Sequence, residues 1–133
     1  MRQVIVGLGC DRDAAIGTVR AAVDQALALA GLESTAVDAV ATIDRKRDEG
    51  AILALAAERG WTLHFFSAAA LAVVAVPSPS ETVRRHMGTP SVAEAAALLA
   101  AGAGIEALVL EKHKHRGTDG KHATVSIARR TSA

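Results

Sequence analysis

Short apolar runs alternate with segments of helical period along this chain, and that alternation limits the possible folds more than any other feature. Residues 4–8 and 37–43 are apolar runs of strand length. Between them, Ala15, Ile16, Val19, Val23, Ala26, Leu27 and Ala30 recur at helical spacing, which predicts a helix over 12–30 stopped by Gly31. A second helix is predicted over 48–59, with Ile52, Leu53, Leu55 and Ala56 inward and Gly60 at its end. Residues 61–66 read as a third strand, and Ser67 can cap a short helix reaching Leu71. Ser80 can cap a segment over 81–87, which Gly88 closes. Ser91 and Glu94 have capping-box spacing at the head of a helix over 92–101. A fourth strand over 106–110, a polar loop over 112–121 and an alternating final strand over 123–128 complete the chain. No helix separates the last two strands, so they are expected to pair antiparallel. The order predicts a single α/β domain over residues 1–133, a three-layer α/β/α arrangement. Its mostly parallel mixed sheet has about five strands, the last antiparallel.

Composition narrows function. Half the residues are hydrophobic, yet Trp61, Phe65 and Phe66 are the only aromatics, so the core must be built from Ala, Val, Leu and Ile. Base-stacking nucleic-acid binding needs aromatic platforms and is not expected. The formal net charge is +1, with basic residues clustered at Arg45–Arg47 and again from Lys112 to Arg116, each in a predicted loop. Cys10 stands alone, so no internal disulfide and no zinc pattern can form. His113, His115 and His122 lack a Cys or acidic partner at ligand spacing, and neither a metal nor a cofactor is expected. The apolar opening is too short for a signal peptide, and residues 65–76 fall short of the roughly 20 that span a bilayer. A cytoplasmic protein with no membrane partner is the expectation.

Ligands of open α/β sheets gather beyond the carboxyl ends of the parallel strands. Four segments should meet there: residues 7–12, residues 44–49, the loop around Ser80, and the chain from Lys112 onward. Gly7 and Gly9 either let the backbone approach a ligand or only shape a turn. Arg12, Asp44, Lys46 and Lys112 are candidate ligand contacts, with Lys46 placed to meet a carboxylate. Glu49 is a candidate for proton transfer or for orienting Lys46, against a plain role in the first helical turn. Cys10, near a helix start, is a candidate nucleophile against a plain core role. No histidine lies near it in sequence to act as a base. Ser80 and Glu94 read first as helix caps and second as candidate ligand contacts.

Five segments together resemble a known family. They are Val4-Ile5-Val6-Gly7-Leu8-Gly9-Cys10, Ala41-Thr42-Ile43-Asp44-Arg45-Lys46-Arg47-Asp48-Glu49-Gly50, Val76-Pro77-Ser78-Pro79-Ser80 followed by Val83, Gly88-Thr89-Pro90-Ser91-Val92-Ala93-Glu94-Ala95-Ala96-Ala97, and Lys112 with the closing Ala123-Thr124-Val125-Ser126-Ile127-Ala128. In this order they are similar to the CobE/CbiG C-terminal domain family of cobalamin (vitamin B12) biosynthesis. The chain departs from the family at Asp11, where Arg is frequent, and at Ser126, where Ala is usual. The resemblance implies a three-layer α/β/α fold, an anionic precorrin or corrinoid as ligand, and other enzymes of the pathway as partners. With no counterpart of the CbiG N-terminal part, the chain is expected to be of the CobE type and to bind or process the precorrin. Lactone-opening hydrolysis as in CbiG, using Glu49, Cys10 or Glu94, is the enzymatic alternative. A generic anion- or nucleotide-binding domain at the Gly9 turn is the alternative outside the family.

Overall fold

The computed structural model describes residues 3–74 and 92–130. Their strands are β1 (Val4–Cys10), β2 (Val37–Ile43), β3 (Thr62–Phe66), β4 (Leu108–Arg116) and β5 (His122–Arg129). Their helices are α1 (Ile16–Leu29), α2 (Gly50–Arg59), α3 (Ala68–Ala72) and α4 (Val92–Ala101). One sheet joins the strands in the order β3-β2-β1-β5-β4. β1, β2 and β3 pair in parallel, and β5 is antiparallel to both β1 and β4. β4 therefore points the same way as β1, and the last strand alone runs against the others. The expected three-layer α/β/α arrangement with a mostly parallel sheet is what forms.

Each face of the sheet buries its own aliphatic cluster. Val4, Val6 and Leu8 of β1 join Val23 and Leu27 of α1 and Ile52 and Leu55 of α2 on one side. Ile5, Ala39, Ala41 and Ile43 join Leu71 of α3 and the Ala-rich α4 on the other. Burial on both faces explains why β1 and β2 read as continuous apolar runs rather than alternating ones.

With small residues in place of aromatics, the layers sit close together. The tightest point is Gly7, in the middle of β1. A Cβ there would lie 1.9 Å from the carbonyl oxygen of Ala93 and 2.9 Å from the Ala97 Cβ. The backbone of α4 thus rests directly on the strand, and Gly7 serves this packing rather than a turn.

Two expectations need correction. The first helix begins at Ile16, not at residue 12, because the chain turns sharply at Asp13, whose φ is 63°. The polar loop expected over 112–121 shrinks to residues 117–121, since β4 continues to Arg116, which pairs with His122. An edge strand needs only one buried face, so alternating Lys and His residues tolerate a strand that composition disguised as a loop. Register irregularities between Leu108 and Leu110 and between Leu110 and His113 hide its period further.

The β4–β5 turn also completes α1. Ala15 at the N-cap supplies no side-chain cap. Asp119 reaches across instead: its Oδ2 accepts the Ala15 N–H at 2.8 Å and its Oδ1 accepts the Thr18 hydroxyl at 2.9 Å. The contact requires Gly117, whose Cβ would stand 1.9 Å from Thr18 Oγ1. Ser67 caps α3 as expected, accepting the Ala70 N–H at 3.1 Å. The helix expected over 81–87 and the caps at Ser80 and Ser91 lie outside the described residues.

Gly7→Ala tests the close approach of α4. Overpacking against a backbone carbonyl should cost about 1–3 kcal/mol. Urea unfolding should show a lower midpoint at an unchanged m-value; an unchanged midpoint would mean that α4 does not press on β1.

Candidate functional site

The carboxyl ends of β1 and β2 and the start of β5 enclose a pocket of about 210 Å³. Gly9 and Thr124, cross-strand partners in the β1–β5 ladder, lie on its lining with Ile43 from the end of β2 and Val92 from the start of α4. Lys46, Cys10, Asp11 and His122 complete it. A Cβ at Gly9 would meet no atom within 4 Å, so this glycine leaves space beside the strand tip instead of serving helix packing as Gly7 does.

A buried carboxylate sets the loops around this pocket. Glu49 is the N-cap residue of α2, and its side chain is only 3% exposed. Its Oε1 lies 3.3 Å from an Arg12 guanidinium nitrogen and 3.7 Å from Lys46 Nζ. Its Oε2 accepts the backbone N–H of Asp13 at 3.1 Å, at the residue with the left-handed backbone. Arg12 also donates to Asp48 at 2.9 Å and to the Arg45 carbonyl at 3.2 Å. The carboxylate thereby joins the β1–α1 loop to the β2–α2 loop, and acceptors that a general base would offer to a ligand are engaged. A left-handed Asp costs about 1–2 kcal/mol, which the bond to Glu49 helps to offset.

Chemistry from opposite ends of the chain meets at β1 and β5. Asp11 Oδ2 accepts the backbone N–H of His122 at 2.8 Å and lies 3.2 Å from its Nδ1. Asp11 N–H in turn donates to the His122 carbonyl at 2.9 Å. Partial burial pulls the Asp11 carboxyl upward, but the bonds from His122 outweigh it and hold the group below its ordinary value. Cys10 is half-buried, and desolvation pushes its thiol up to about 11 against the opposing pull of Lys46. The helix-start effect expected to favour thiolate does not reach Cys10, since α1 begins at Ile16, and burial dominates the thiol.

The remaining candidates lie elsewhere. Glu94, in the first turn of α4, is fully buried and pairs with Lys112 at 3.8 Å. Lys112 sits on β4 rather than in a loop, and neither residue lines the pocket. Gly7 lies beneath α4. Asp44 begins the 3-10 turn Asp44–Lys46, which orients Lys46, and its carbonyl accepts the Arg47 N–H. Ser80 lies outside the described residues. The sequence placed Asp11, His122 and Thr124 only within converging segments and did not single them out as ligand contacts, because only the β1–β5 register brings residue 122 beside residue 11. Among the described residues, no cluster of His, Cys, Asp and Glu suits a metal ion.

Two measurements check these assignments. Glu49→Ala should cost about 3 kcal/mol in chemical unfolding, since it leaves Lys46 without its buried counter-charge and the Asp13 N–H without its acceptor; a loss within 0.5 kcal/mol, as surface changes give, would contradict the role of Glu49 as the tie between loops. Cys10 should react slowly with iodoacetamide at pH 8. Raising a thiol from 9.0 to about 11 cuts the thiolate about 100-fold, and the rate should climb as pH rises toward 11. Native and unfolded chains alkylating equally fast at pH 8 would contradict this.

The comparisons with known proteins agree with one another. The family model described as "Cobalamin synthesis G C-terminus" matches residues 4–128. The chain is 32% identical over 107 residues to the "Cobalt-precorrin-5A hydrolase" of Priestia megaterium, covering 80% of this chain but 29% of that protein. It is 36% identical over 127 residues to "Protein CobE" of a Sinorhizobium species, covering 94% and 79%. The crystal structure of CobE, described as a protein from the cobalamin (vitamin B12) biosynthetic pathway, superposes with a TM-score of 0.83 at 32% identity, covering all of this chain and 94% of that one. The cobalamin biosynthesis protein chiG of Agrobacterium tumefaciens superposes with a TM-score of 0.70 at 33% identity, covering 97% and 99%. No helix among the described residues is long and apolar enough to cross a membrane. With the family model spanning nearly the whole chain and the fold shared with CobE, this chain belongs to the CobE/CbiG C-terminal family of cobalamin biosynthesis.

Proposed function

We propose that the pocket holds one carboxylate arm of an anionic precorrin intermediate, with the macrocycle lying outside it along the open end of the sheet. The observation that carries this reading is the placement of Lys46. Its side chain is 13% exposed and lines the pocket, and its Nζ stands 3.7 Å from Glu49. That distance is longer than a hydrogen bond, so the ammonium is fixed by attraction while its donors remain available to a ligand carboxylate. Size points the same way. At about 210 Å³ the pocket is below the ~300 Å³ at which sites for whole drug-sized ligands begin. An acid arm fits this volume and a tetrapyrrole does not.

Further cations stand where other arms would reach. Lys114 of β4 is the register partner of Thr124, so it lies on the same face of the sheet as the pocket floor. Arg12 is half-exposed on the adjoining loop. The geometry favours holding the ligand over attack by Cys10, whose thiol is protonated at neutral pH, or by Glu49, which is engaged by its own loops. The names of the relatives, one a cobalt-precorrin hydrolase and one a protein of the B12 pathway, supply the ligand class.

Titration of an authentic precorrin followed by absorbance tests the reading. Lys46→Ala should weaken binding about tenfold or more, the loss of one charge-assisted hydrogen bond at about 1.5–3 kcal/mol. Equal affinity for the Lys46→Ala chain, folded with an unaltered Tm, would overturn the assignment.

A further inference from the structure

The pocket contains an imidazole that the family resemblance and the sequence motifs did not assign. We infer that His122 is a proton-accepting group of this pocket, held by Asp11 so that Nδ1 carries the hydrogen and Nε2 is left as the base.

The argument starts from the two contacts of one carboxylate oxygen. Asp11 Oδ2 accepts the backbone N–H of His122 at 2.8 Å, which fixes the oxygen relative to the residue whose ring it also meets. The ring nitrogen Nδ1 lies 3.2 Å from the same oxygen. An ionised carboxylate has no proton to give, so at neutral pH the hydrogen of that contact belongs to Nδ1. In a neutral imidazole, Nε2 then carries the lone pair. The carboxylate also stabilises the imidazolium formed when Nε2 takes a proton, which is the orienting role of the acid in a carboxylate–imidazole pair.

The surroundings suit that task. His122 lines the same pocket as Lys46, the cation proposed above to take a ligand carboxylate, and Gly9 leaves open space beside them. Among the described residues, the charged groups near the ring are Asp11 on its own ladder, Lys46 across the pocket, Arg116 as its register partner on β4, and Lys121 beside it in the chain. Cys10 is the other titratable group of the lining, and its raised pKa keeps it neutral. An anion fixed on Lys46 thus shares one pocket with the His122 ring. The base can take a proton from water, whose oxygen then attacks an acyl carbon of the bound molecule. The acyl carbon–oxygen bond breaks, and the departing oxygen leaves as the anion or recovers the proton from Nε2.

This inference rests on the reading of Lys46 as a carboxylate anchor, and two experiments separate the two claims. The first needs no ligand. Long-range ¹H–¹⁵N correlation spectra of the ¹⁵N-labelled chain at pH 7.5 should show His122 with a protonated Nδ1 and an unprotonated Nε2, and Asp11→Ala should abolish that preference. A ring protonated on Nε2 in the wild-type chain would overturn the inference whatever the pocket binds. The second uses 4-acetoxybenzoate, a small ester that carries a carboxylate. Water adds to its acetyl carbon, the aryl oxygen leaves, and the products are acetate and 4-hydroxybenzoate. Binding by ligand-observed NMR should be lost in Lys46→Ala and kept in His122→Gln. Release of 4-hydroxybenzoate above the uncatalysed rate should fall about tenfold or more in His122→Gln. A probe that binds but hydrolyses equally fast with wild type and His122→Gln would overturn the role of His122. Binding unaffected by Lys46→Ala would overturn the anchor and leave the spectroscopic result to decide the imidazole.

Discussion

The organisation of this site depends on one buried carboxylate. Glu49 stands at the N-cap position of α2, and its side chain faces Arg12 and Lys46 and accepts the N–H of a left-handed Asp13, so it fixes both loops that flank the pocket. A buried charge is tolerated only when it is paired and hydrogen-bonded, and Glu49 is both. The consequence is positional. Lys46 is held at the pocket by a partner too distant for a hydrogen bond, and Arg12 is drawn away toward Asp48. The loops that would contact a ligand are therefore set before it arrives.

A second constraint places the floor of that pocket. The sheet has almost no aromatic residues to space its layers, and α4 rests its backbone on Gly7. Two residues further along β1, Gly9 meets nothing within 4 Å of its missing side chain. One glycine admits a helix and the next admits space. The first residue of α4, Val92, stands at the boundary between the two.

Much of the fold was legible because the chain is locally consistent. β2 and α4 follow their predicted limits, since strong apolar runs and clear stops mark both. β4 was hidden because an edge strand buries only one face, and its Lys and His residues with shifted register mimic a loop. The site was legible in part. Lys46, Glu49 and Gly9 follow directly from the rule that strand ends bear ligands. Gly7 looked equivalent to Gly9 in sequence, and only packing separates them. His122 and Asp11 are 111 residues apart, and their contact is a product of strand register, which local patterning does not encode. Cys10 looked poised for reactivity at a helix start, but burial reverses that expectation.

These features combine into one physical account. The strand tips provide a small pocket, two tied loops bring an ammonium to it, and Lys114 of β4 lies on the same face. The most direct test is a crystal structure of the chain with a bound precorrin. The account predicts a ligand carboxylate within hydrogen-bond distance of Lys46 Nζ, between Gly9 and Val92, with the ring outside the pocket. A macrocycle seated on the outer faces of α1 and α2, leaving Lys46 untouched, would contradict it.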